Sequence, residues 1–557
     1  MASPDKLTVE VIKSAAIYAS EEMGIVLRNT AYSPNIKDRL DHTCAVLTPE
    51  GDLVAQAEHI PVHIGSMTVG VKNIVSYLRS RGIELGEGDV IIANDPYITG
   101  THLNDITLLK PVYYKGQHIA YLANKAHHVD VGGAVPGSLG GDVKELGQEG
   151  IIIPPVKLVT SGVINRDILD LIAANVRTPE YTLGDLRAQL ASLNVGERRL
   201  RELAERYGGE ILLQAWREIL DYTERYVRRT IRDLGVRGEW TGEDYVELPG
   251  GDLKIRARLA IGDDEITIDF EGTSSQVDAP LNAVLGVTVA AASFAVKSIL
   301  DPEMPVNQGF YRAIRIVAPE GTLVNPRKPA PVSAGNTETS QRIADTVFMA
   351  LAKALPGRVP AASCGTMTNI MIGGLLEGRR WAFYETIGCG SGGRPWSDGV
   401  DGVHTNMTNT LNTPIERLEA EYPVLFKAYK LREDSEGPGQ NRGGLGITRA
   451  FTLTRGTATL TIVAQRCRHR PWGLNGGKPA EPSTHYLVRP TGENVPLGCI
   501  ATITVKEGDT IVINTPGGGG YGDPCTRNPD RVREDLENGK ISETRAIKEY
   551  CAKNLGP

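Results

Sequence analysis

Hydrophobic positions along the first third of the chain predict helices that alternate with short strands. Residues 7–30 and 66–81 place apolar side chains at helical spacing. Residues 42–56 predict two strands joined by a Pro-Glu-Gly-Asp turn, because apolar and β-branched residues flank that turn. Further short strands are predicted near residues 90–93, 106–114 and 118–124, and a glycine-rich loop is predicted over residues 132–150.

The rest of the chain has a helical pattern first and then mostly the pattern of strands. Residues 166–234 are helical almost throughout, which predicts an insertion of two to four helices. Residues 240–272 alternate apolar and polar side chains, as hairpin strands do. Helices are expected at 281–300 and 340–356, strands at 447–465 and 495–514, and two short helices near the C-terminus.

These elements predict an α+β fold with several mixed sheets and a helical insertion. No regular strand–helix–strand rhythm indicates a doubly wound parallel sheet. We divide the chain into regions 1–160, 161–239, 240–430 and 431–557. The second is the helical insertion, the third a central α+β region, and the fourth a β-rich region with a helical tail. The first region carries the candidate chemistry and is predicted to be the metal-binding catalytic region.

Composition and charge argue against several classes of protein. The 557 residues are 41% hydrophobic and 23% charged, and the net charge is −7. Because no run of lysine and arginine forms a basic surface, nucleic acid is not an expected partner. The sequence has no stretch of about 18 apolar residues, so no membrane span is predicted. No export signal is visible at the N-terminus, so we expect a cytoplasmic protein.

The seven cysteines are scattered, and none forms a Cys-x-x-Cys motif. A thiolate zinc site or a dithiol redox motif is therefore not predicted. Reduced thiols are the expectation, because disulfides are rare in cytosolic proteins.

Two glycine-rich segments, 388–393 and 517–522, match the Gly-x-Gly-x-x-Gly pattern of dinucleotide sites. Neither opens a helix, and Pro395 and Pro524 follow closely, whereas the dinucleotide fingerprint requires a strand, a turn and then a helix. We interpret both segments as structural turns or backbone loops around a cleft. No Gly-x-x-x-x-Gly-Lys-Ser/Thr loop is present, so the sequence shows no nucleotide site of that type.

The strongest local signal is a group of imidazoles and carboxylates between residues 102 and 130. Its members are His102, Asp105, His127, His128 and Asp130. Imidazole and carboxylate ligands suit Zn, Mn or Fe(II), and a ligand set that leaves open positions is typical of a catalytic metal. His102 and Asp105 can converge from one turn, and His127 can face them from the end of a strand.

Asp41 offers a further carboxylate at the start of another predicted strand. The alternative is that all these side chains are unrelated polar loop residues, since His-x-x-Asp occurs often by chance. His59 and His63 can line the same cleft as these residues, and a structural role in capping the following helix is at least as well supported, so a ligand role is not favoured. A capping role is also favoured for the polar residues before the 340–356 helix, Asn336, Glu338 and Arg342.

Several long and unusual stretches resemble the hydantoinase B family. They include NDPYITGTHLND, HHVDVGGAVPGS, QEGIIIPP, GPGQNRGGLG, RPWGLNGG and TPGGGGYGDP. The resemblance extends from about residue 7 to the C-terminal tail. The family includes N-methylhydantoinase B, the B-like half of 5-oxoprolinase, caprolactamase, and the large subunits of acetone and acetophenone carboxylases. The resemblance implies a hydantoinase B-like α+β fold.

The resemblance also implies a hetero-oligomer with a hydantoinase A-type subunit, which binds ATP and phosphorylates the carbonyl oxygen of a small cyclic amide. A divalent metal ion (Zn, Mn or Fe) is implied in this chain, with ligands at Asp41, His102, Asp105 and His127. For proton transfer the resemblance implies His128, Asp130 and Glu149. His42 departs from the family, where an aromatic residue is common, and is an additional candidate ligand.

Three functions remain open at this point. The leading expectation is the B subunit of an ATP-dependent hydrolase that opens a hydantoin, 5-oxoproline or lactam ring. The runner-up is a subunit of an acetone- or acetophenone-type carboxylase. A scaffold without catalytic activity, which only stabilises its A-type partner, is the third.

Overall fold

The computed structural model of the chain describes residues 4–57 and 59–552. The helices are α1 (Lys6–Thr30), α2 (Pro34–Lys37), α3 (Pro61–Ser80), α4 (Pro96–Thr99), α5 (Arg166–Asn175), α6 (Pro179–Tyr207), α7 (Gly209–Asp233), α8 (Leu285–Leu300), α9 (Gln308–Ala313), α10 (Ser340–Ala354), α11 (Ile415–Glu421), α12 (Pro529–Glu537) and α13 (Glu543–Glu549). A π-helical turn, Gly335–Thr339, leads into α10. Single 3₁₀ turns occur at Leu146–Gln148 and Pro524–Thr526.

The strands are β1 (His42–Leu47), β2 (Leu53–Gln56), β3 (Val90–Ala93), β4 (Asp105–Tyr114), β5 (Gln117–His127), β6 (Val156–Thr160), β7 (Val163–Ile164), β8 (Gly238–Val246), β9 (Leu253–Ile261), β10 (Ile266–Asp269), β11 (Ile314–Val317), β12 (Asn369–Leu376), β13 (Arg379–Thr386), β14 (Val424–Leu431), β15 (Ile447–Leu453), β16 (Thr457–Val463), β17 (Thr484–Val488), β18 (Asn494–Leu497), β19 (Ile500–Lys506) and β20 (Thr510–Asn514).

The first sheet has seven antiparallel strands in the order β2-β1-β5-β4-β3-β6-β7. Side chains alternate between its faces, as the two-residue period of a strand requires. Ala45 and Leu47 belong to the hydrophobic cluster that includes Met67 of α3. Val46 belongs to the cluster that includes Met23 of α1. The sheet is thus covered by α3 on one face and by α1, with α6, on the other.

Three further sheets complete the fold. They have the strand orders β11-β10-β9-β8, β13-β12-β16-β19 and β14-β15-β20-β17-β18. The last two share one hydrophobic core and form a sandwich in the C-terminal half. The α+β prediction with mixed sheets and a helical insertion, which is α5 to α7, is confirmed. The proposed region boundaries stay predictions, and the one at 430 falls within β14.

The glycine-rich segments of the sandwich pack backbone against backbone. A Cβ atom added at Gly390 or Gly518 would collide with main-chain atoms of the facing loop. Glycine is required there because no side chain fits between the two chains. This close packing agrees with the interpretation of both segments as backbone loops.

The expectation of reduced thiols is wrong for six of the seven cysteines. Disulfides join Cys364 to Cys389, Cys467 to Cys499, and Cys525 to Cys551, and Cys44 is free and buried. The partners are 25 to 32 residues apart in sequence, and only the folded loops and strands bring them together. Among the described helices, none is both long and apolar enough to span a membrane. The cytoplasmic location stays a prediction.

Candidate functional site

Three neighbouring strands of the first sheet align acidic and imidazole side chains in one row. Asp105 at the start of β4 lies directly opposite His127 at the end of β5. The N–H of His127 donates to the carbonyl oxygen of Asp41, which immediately precedes β1 (3.0 Å). Residues directly opposite each other in antiparallel strands point to the same face. The strand register therefore places Asp41, His127 and Asp105 side by side.

His102 joins this row from the turn between α4 and β4. The N–H of Asp105 donates to the carbonyl oxygen of His102 (3.1 Å), which closes a tight turn and brings the imidazole back over the strand end. His102 Nε2 lies 3.1 Å from His127 Nδ1 and 3.2 Å from Asp105 Oδ1. His127 Nδ1 lies 3.4 Å from the same carboxylate oxygen. Three buried donor atoms thus form a compact triangle.

This triangle has the dimensions of a metal-ligand set. Ligand atoms bound to one cation at about 2.1 Å lie about 3.0–3.4 Å apart at octahedral to tetrahedral angles. The three separations in the triangle match that range. Asp105 Oδ1 is buried and has no hydrogen-bond partner among the described residues, although a buried carboxylate oxygen normally has one. The residues therefore fit a divalent cation with nitrogen and oxygen ligands.

Asp41 lies farther from this triangle. Its Oδ2 atom is 3.9 Å from His127 Nδ1. Asp41 and the three residues of the triangle nevertheless border one small cavity. His42, the next residue, points to the opposite face of the sheet. Its Nε2 lies 3.2 Å from the carbonyl oxygen of Gly24 in α1, and burial lowers its pKa to about 3. The structure does not place His42 with the candidate ligands.

A third imidazole, that of His63, contacts the other oxygen of the Asp105 carboxylate. His63 Nε2 lies 3.3 Å from Asp105 Oδ2, and its Nδ1 lies 3.2 Å from the hydroxyl oxygen of Thr43. Burial works against the charge on Asp105, but His102 and His63 hold the pKa of its carboxyl well below the ordinary value. Pro61 occupies the start of α3, a position that proline favours, so His63 lies in the first helical turn. The sequence interpretation of His63 as mainly a helix cap missed this contact.

Aromatic packing fixes the His127 ring. The Tyr384 ring of β13 stacks on His127 with 4.6 Å between ring centroids and 15° between ring planes. The Tyr384 hydroxyl donates to Asn369 Oδ1 (2.9 Å), and the Arg39 guanidinium lies over the other ring surface, 4.9 Å from the centroid. Sequence reasoning did not single out Tyr384, because it lies more than 250 residues from His127 in the chain.

The candidate ligands border a small cavity of about 20 Å³. That volume holds about one water molecule or ion. Its walls come from α3, the 335–339 turn, β13 and the loop after it, and include Asn336, Thr337, Met367, Tyr384, Thr386, Met407, Thr408 and Thr410. The hydroxyl oxygens of Thr386 and Thr410 lie 2.9 Å apart, and Arg39 Nη2 donates to Thr386 (2.6 Å). The cavity wall facing the candidate ligands therefore carries hydroxyl groups.

Asn336 borders the cavity with an unsatisfied acceptor. Its Oδ1 atom is buried and has no hydrogen-bond partner among the described residues. The capping role favoured for this segment is not observed, since no side chain caps the 335–339 turn or α10. Glu338 instead accepts from the Met367 N–H and from Asn369 Nδ2 (3.2 and 2.7 Å). Arg342 pairs with Asp244 (3.4 Å).

The three residues expected to transfer protons lie outside the cavity wall. His128 points to α6, where its Nε2 lies 3.0 Å from Gln189 Oε1. Asp130 accepts from the backbone N–H groups of Gly132 and Gly137 and pairs with Arg177 (3.0 Å). These contacts hold the glycine-rich loop in place. The geometry gives no support to a proton-transfer role for either residue.

Glu149 also has backbone partners. It accepts from the N–H groups of Val332 and Ser333 (2.9 Å each), so it anchors the segment before the 335–339 turn. Burial raises the pKa of Glu149 to about 7, against the opposing effect of these donors. Its carboxyl does not border the cavity, and its proton-transfer role stays a prediction from the resemblance.

Comparison with known proteins places the chain in a family. The Hydantoinase B/oxoprolinase family model matches residues 5–524. An uncharacterized protein of Methanocaldococcus jannaschii is 55% identical over 99% of this chain and 96% of its own length. The caprolactamase subunit beta of Pseudomonas jessenii is 32% identical over 99% of this chain and 96% of its own length. The chain therefore belongs to the hydantoinase B/oxoprolinase family, as the resemblance predicted.

Solved structures agree with this assignment. The crystal structure of ATP-dependent caprolactamase from Pseudomonas jessenii matches with a TM-score of 0.91 and 31% identity, over 99% of this chain and 96% of that one. Acetone carboxylase in a nucleotide-free state matches with a TM-score of 0.90 over 98% of this chain and 79% of that one. Its identity is 19%, so this second likeness concerns the fold alone.

Proposed function

We propose that the chain is the B subunit of an ATP-dependent hydrolase of cyclic amides, and that a divalent cation (Zn, Mn or Fe) binds to it. His102, Asp105 and His127 are the inner ligands, and Asp41 completes the set. The observation that carries the proposal is the convergence of three buried donor atoms on one small cavity, in a chain of this family. An A-type partner subunit binds ATP, which accounts for the lack of a nucleotide loop in the sequence.

The proposed reaction consumes ATP and water and breaks the ring C–N bond. An amide carbonyl is a poor electrophile, and transfer of the γ-phosphoryl group to its oxygen on the partner subunit creates a better leaving group. Water then adds to the ring carbon of this imidate-type phosphate, and the C–N bond breaks as the ring nitrogen takes up a proton, which leaves an acyl phosphate. A second water hydrolyses the acyl phosphate, so that the ring-opened product, ADP and phosphate are released. A bound divalent cation supplies Lewis acidity toward oxygen at this site.

The residues of this chain hold and orient the reacting groups. Thr43 and His63 fix the Asp105 carboxylate, and Tyr384 fixes the His127 ring, so both donors are preorganised. The unpartnered Asn336 Oδ1 is positioned to accept the N–H of a cyclic amide, the donor that every hydantoin or unsubstituted lactam offers. The buried walls exclude bulk water, which would otherwise hydrolyse a phosphorylated intermediate unproductively.

Substrate entry requires the cavity to widen, since about 20 Å³ cannot hold a hydantoin, 5-oxoproline or lactam molecule. A second cavity of about 280 Å³, bordered by His404, Thr405 and Asn406, has room for one. The same loop continues into the wall of the smaller cavity at Met407 and Thr408. We propose that movement of this loop, residues 404–410, joins the two cavities when substrate binds.

Co-expression with an A-type partner tests the function. The purified complex is expected to hydrolyse ATP only when a lactam, hydantoin or 5-oxoproline is present, and to release the ring-opened product in equal amount. A requirement for bicarbonate and a ketone would instead establish the carboxylase alternative. Full activity with both His102→Ala and Asp41→Ala would leave only the scaffold reading of this chain.

Neighbouring histidines provide a matched test of the metal site. His127→Ala is expected to lose bound metal and turnover, because it removes an inner ligand. His128→Ala is the control, since its imidazole lies on the opposite face of the sheet beside Gln189. Metal content is measured by elemental analysis and the fold by circular dichroism. Equal metal content in wild type and His127→Ala would contradict the proposed ligand set.

A further inference from the structure

A second group of metal-type donors lies at the junction of the two C-terminal sheets. Cys467 follows β16, and Cys499 precedes β19 in the same sheet, whereas His485 lies on β17 of the other sheet. One donor atom from each residue lies within 4.8 Å of the other two. The two cysteines form a disulfide with 6.1 Å between their Cα atoms. We name these three residues the Cys–His cluster.

The imidazole of the cluster has no hydrogen-bond partner. His485 is 1% exposed, and both of its ring nitrogens are buried and unpartnered. Among the histidines that the structure describes, no other has two such nitrogens. A buried polar group without a partner destabilises a fold, so it needs an explanation such as a ligand bound in another state of the protein. A ring nitrogen beside two sulfur atoms is a donor set that can coordinate a thiophilic cation.

We propose that the Cys–His cluster is a reduction-dependent binding site for a thiophilic divalent cation such as Zn²⁺. Two thiolates and one neutral imidazole are a common zinc donor set, and a water molecule or further group fills the fourth position. Two sulfurs bound tetrahedrally to one zinc lie about 3.8 Å apart, which requires only side-chain rotation once the disulfide is broken. The partial exposure of Cys467 gives a reductant access.

The exchange between the two states is balanced. A dithiol reductant transfers two electrons and two protons to the disulfide, which becomes two thiols while the dithiol becomes a disulfide. Zn²⁺ then displaces both thiol protons and binds two thiolates and the His485 nitrogen. In the oxidised state a covalent bond connects the chain at these positions, and in the reduced state the cation connects them. Only the cation also connects β17 of the other sheet, because His485 is a ligand in the reduced state alone.

The other two disulfides serve as internal controls. Within residues 4–57 and 59–552, neither Cys364–Cys389 nor Cys525–Cys551 belongs to a group of three metal-type donors. Reduction of these pairs is therefore not expected to create a metal site. The candidate catalytic ligands contain no sulfur, so a spectroscopic signal from thiolate ligands reports on the Cys–His cluster alone.

Cobalt titration of the full-length chain tests the proposal. The metal-free protein is reduced with a phosphine, which becomes a phosphine oxide with oxygen from water, and is then titrated with Co²⁺ without oxygen. Reduced wild type is expected to show saturable sulfur-to-cobalt charge-transfer absorption, with the amplitude of one thiolate-bound cobalt per chain. The non-reduced protein is expected to show none. Zn²⁺ is expected to displace the cobalt, because tetrahedral thiolate sites prefer zinc.

Three variants decide the assignment. His485→Phe is expected to weaken cobalt binding at least tenfold, and it keeps the disulfide and the fold because it removes only unpartnered nitrogens. The double variant Cys467→Ser with Cys499→Ser is expected to lose the absorption, whereas Cys525→Ser with Cys551→Ser keeps it. No charge-transfer absorption in reduced wild type would overturn the proposal. Equal absorption and affinity in His485→Phe would also overturn it, since the imidazole would then not be a ligand.

Discussion

Replacement of His63 by alanine tests whether the Asp105 carboxylate is a metal ligand that its neighbours orient. His63 does not touch the proposed cation, but its Nε2 lies 3.3 Å from Asp105 Oδ2. Both side chains are almost fully buried, at 1% and 0% exposure, so bulk solvent does not screen this contact in the wild type. The variant leaves Asp105 Oδ2 without its imidazole partner and frees the carboxylate to rotate away from His102 and His127.

The size of the effect follows from this geometry. Loss of a buried group that orients a metal ligand typically lowers metal affinity 10- to 100-fold. That range corresponds to about 1.4–2.8 kcal/mol of binding free energy. His63→Gln is expected to lose less, because an amide can still donate to Asp105. Turnover should fall in proportion to metal occupancy and recover when excess metal is added, as expected for a positioning residue.

The assay is competition for Zn²⁺ or Mn²⁺ against a chelator of known affinity, at one pH. His59→Ala is the matched control, since it lies on the same segment but pairs with Glu21 (3.5 Å) and packs against His42, with 4.8 Å between ring centroids. Its metal affinity should equal that of the wild type. If His63→Ala also bound metal as tightly as wild type, the claim that His63 orients a coordinating Asp105 would be refuted.

Three other predictions concern the cavity wall and the core. Asn336→Ala should raise KM for a cyclic amide about two- to tenfold with unchanged metal content, because one neutral hydrogen bond is lost; an unchanged KM removes Asn336 from the binding site. Burial raises the pKa of Glu338 from its ordinary 4.5 to about 8, so the free energy of unfolding falls as pH rises between these values. In urea unfolding, Glu338→Gln should lack that fall and should be more stable than wild type at pH 9. Parallel stability curves for the two proteins would count against the shift. Gly65→Ala would place a Cβ atom 2.6 Å from the Ala290 Cα, which should cost about 1–3 kcal/mol in urea unfolding; Gly250→Ala, with no atom within 4 Å, should be neutral.

Much of the first sheet could be predicted from the sequence because its signals are local. The helix over 7–30, the hairpin over 42–56 and the strands near 90–93 and 106–114 all have clear periodicity and are confirmed. The partners of the candidate ligands could not be predicted in this way. Tyr384 and Asn336 reach the cavity from segments more than 200 residues away, and such contacts leave no periodic signal.

The adjacent residues His127 and His128 show that family resemblance and local pattern could not decide which side chain joins the candidate site. Successive residues of a strand point to opposite faces, so only one of two adjacent histidines can join a given site. The register between β4 and β5 decides which one, because it sets His127 opposite Asp105. His128 consequently faces Gln189 in α6. A family motif gives the positions, but the strand register gives the side chains their roles.

The cavity also changes how the candidate catalytic region should be defined. All four proposed ligands come from residues 41–127, within the region predicted to carry the chemistry. About half of the wall, however, comes from residues 336–410 in the central region. A fragment of residues 1–160 would leave the ligands open to water and the phosphorylated intermediate unprotected. The proposed metal ligands and about half of the cavity wall therefore lie in different parts of the sequence. Exchange of wall residues for those of a relative such as caprolactamase should alter the preference for the substrate ring while metal affinity stays constant.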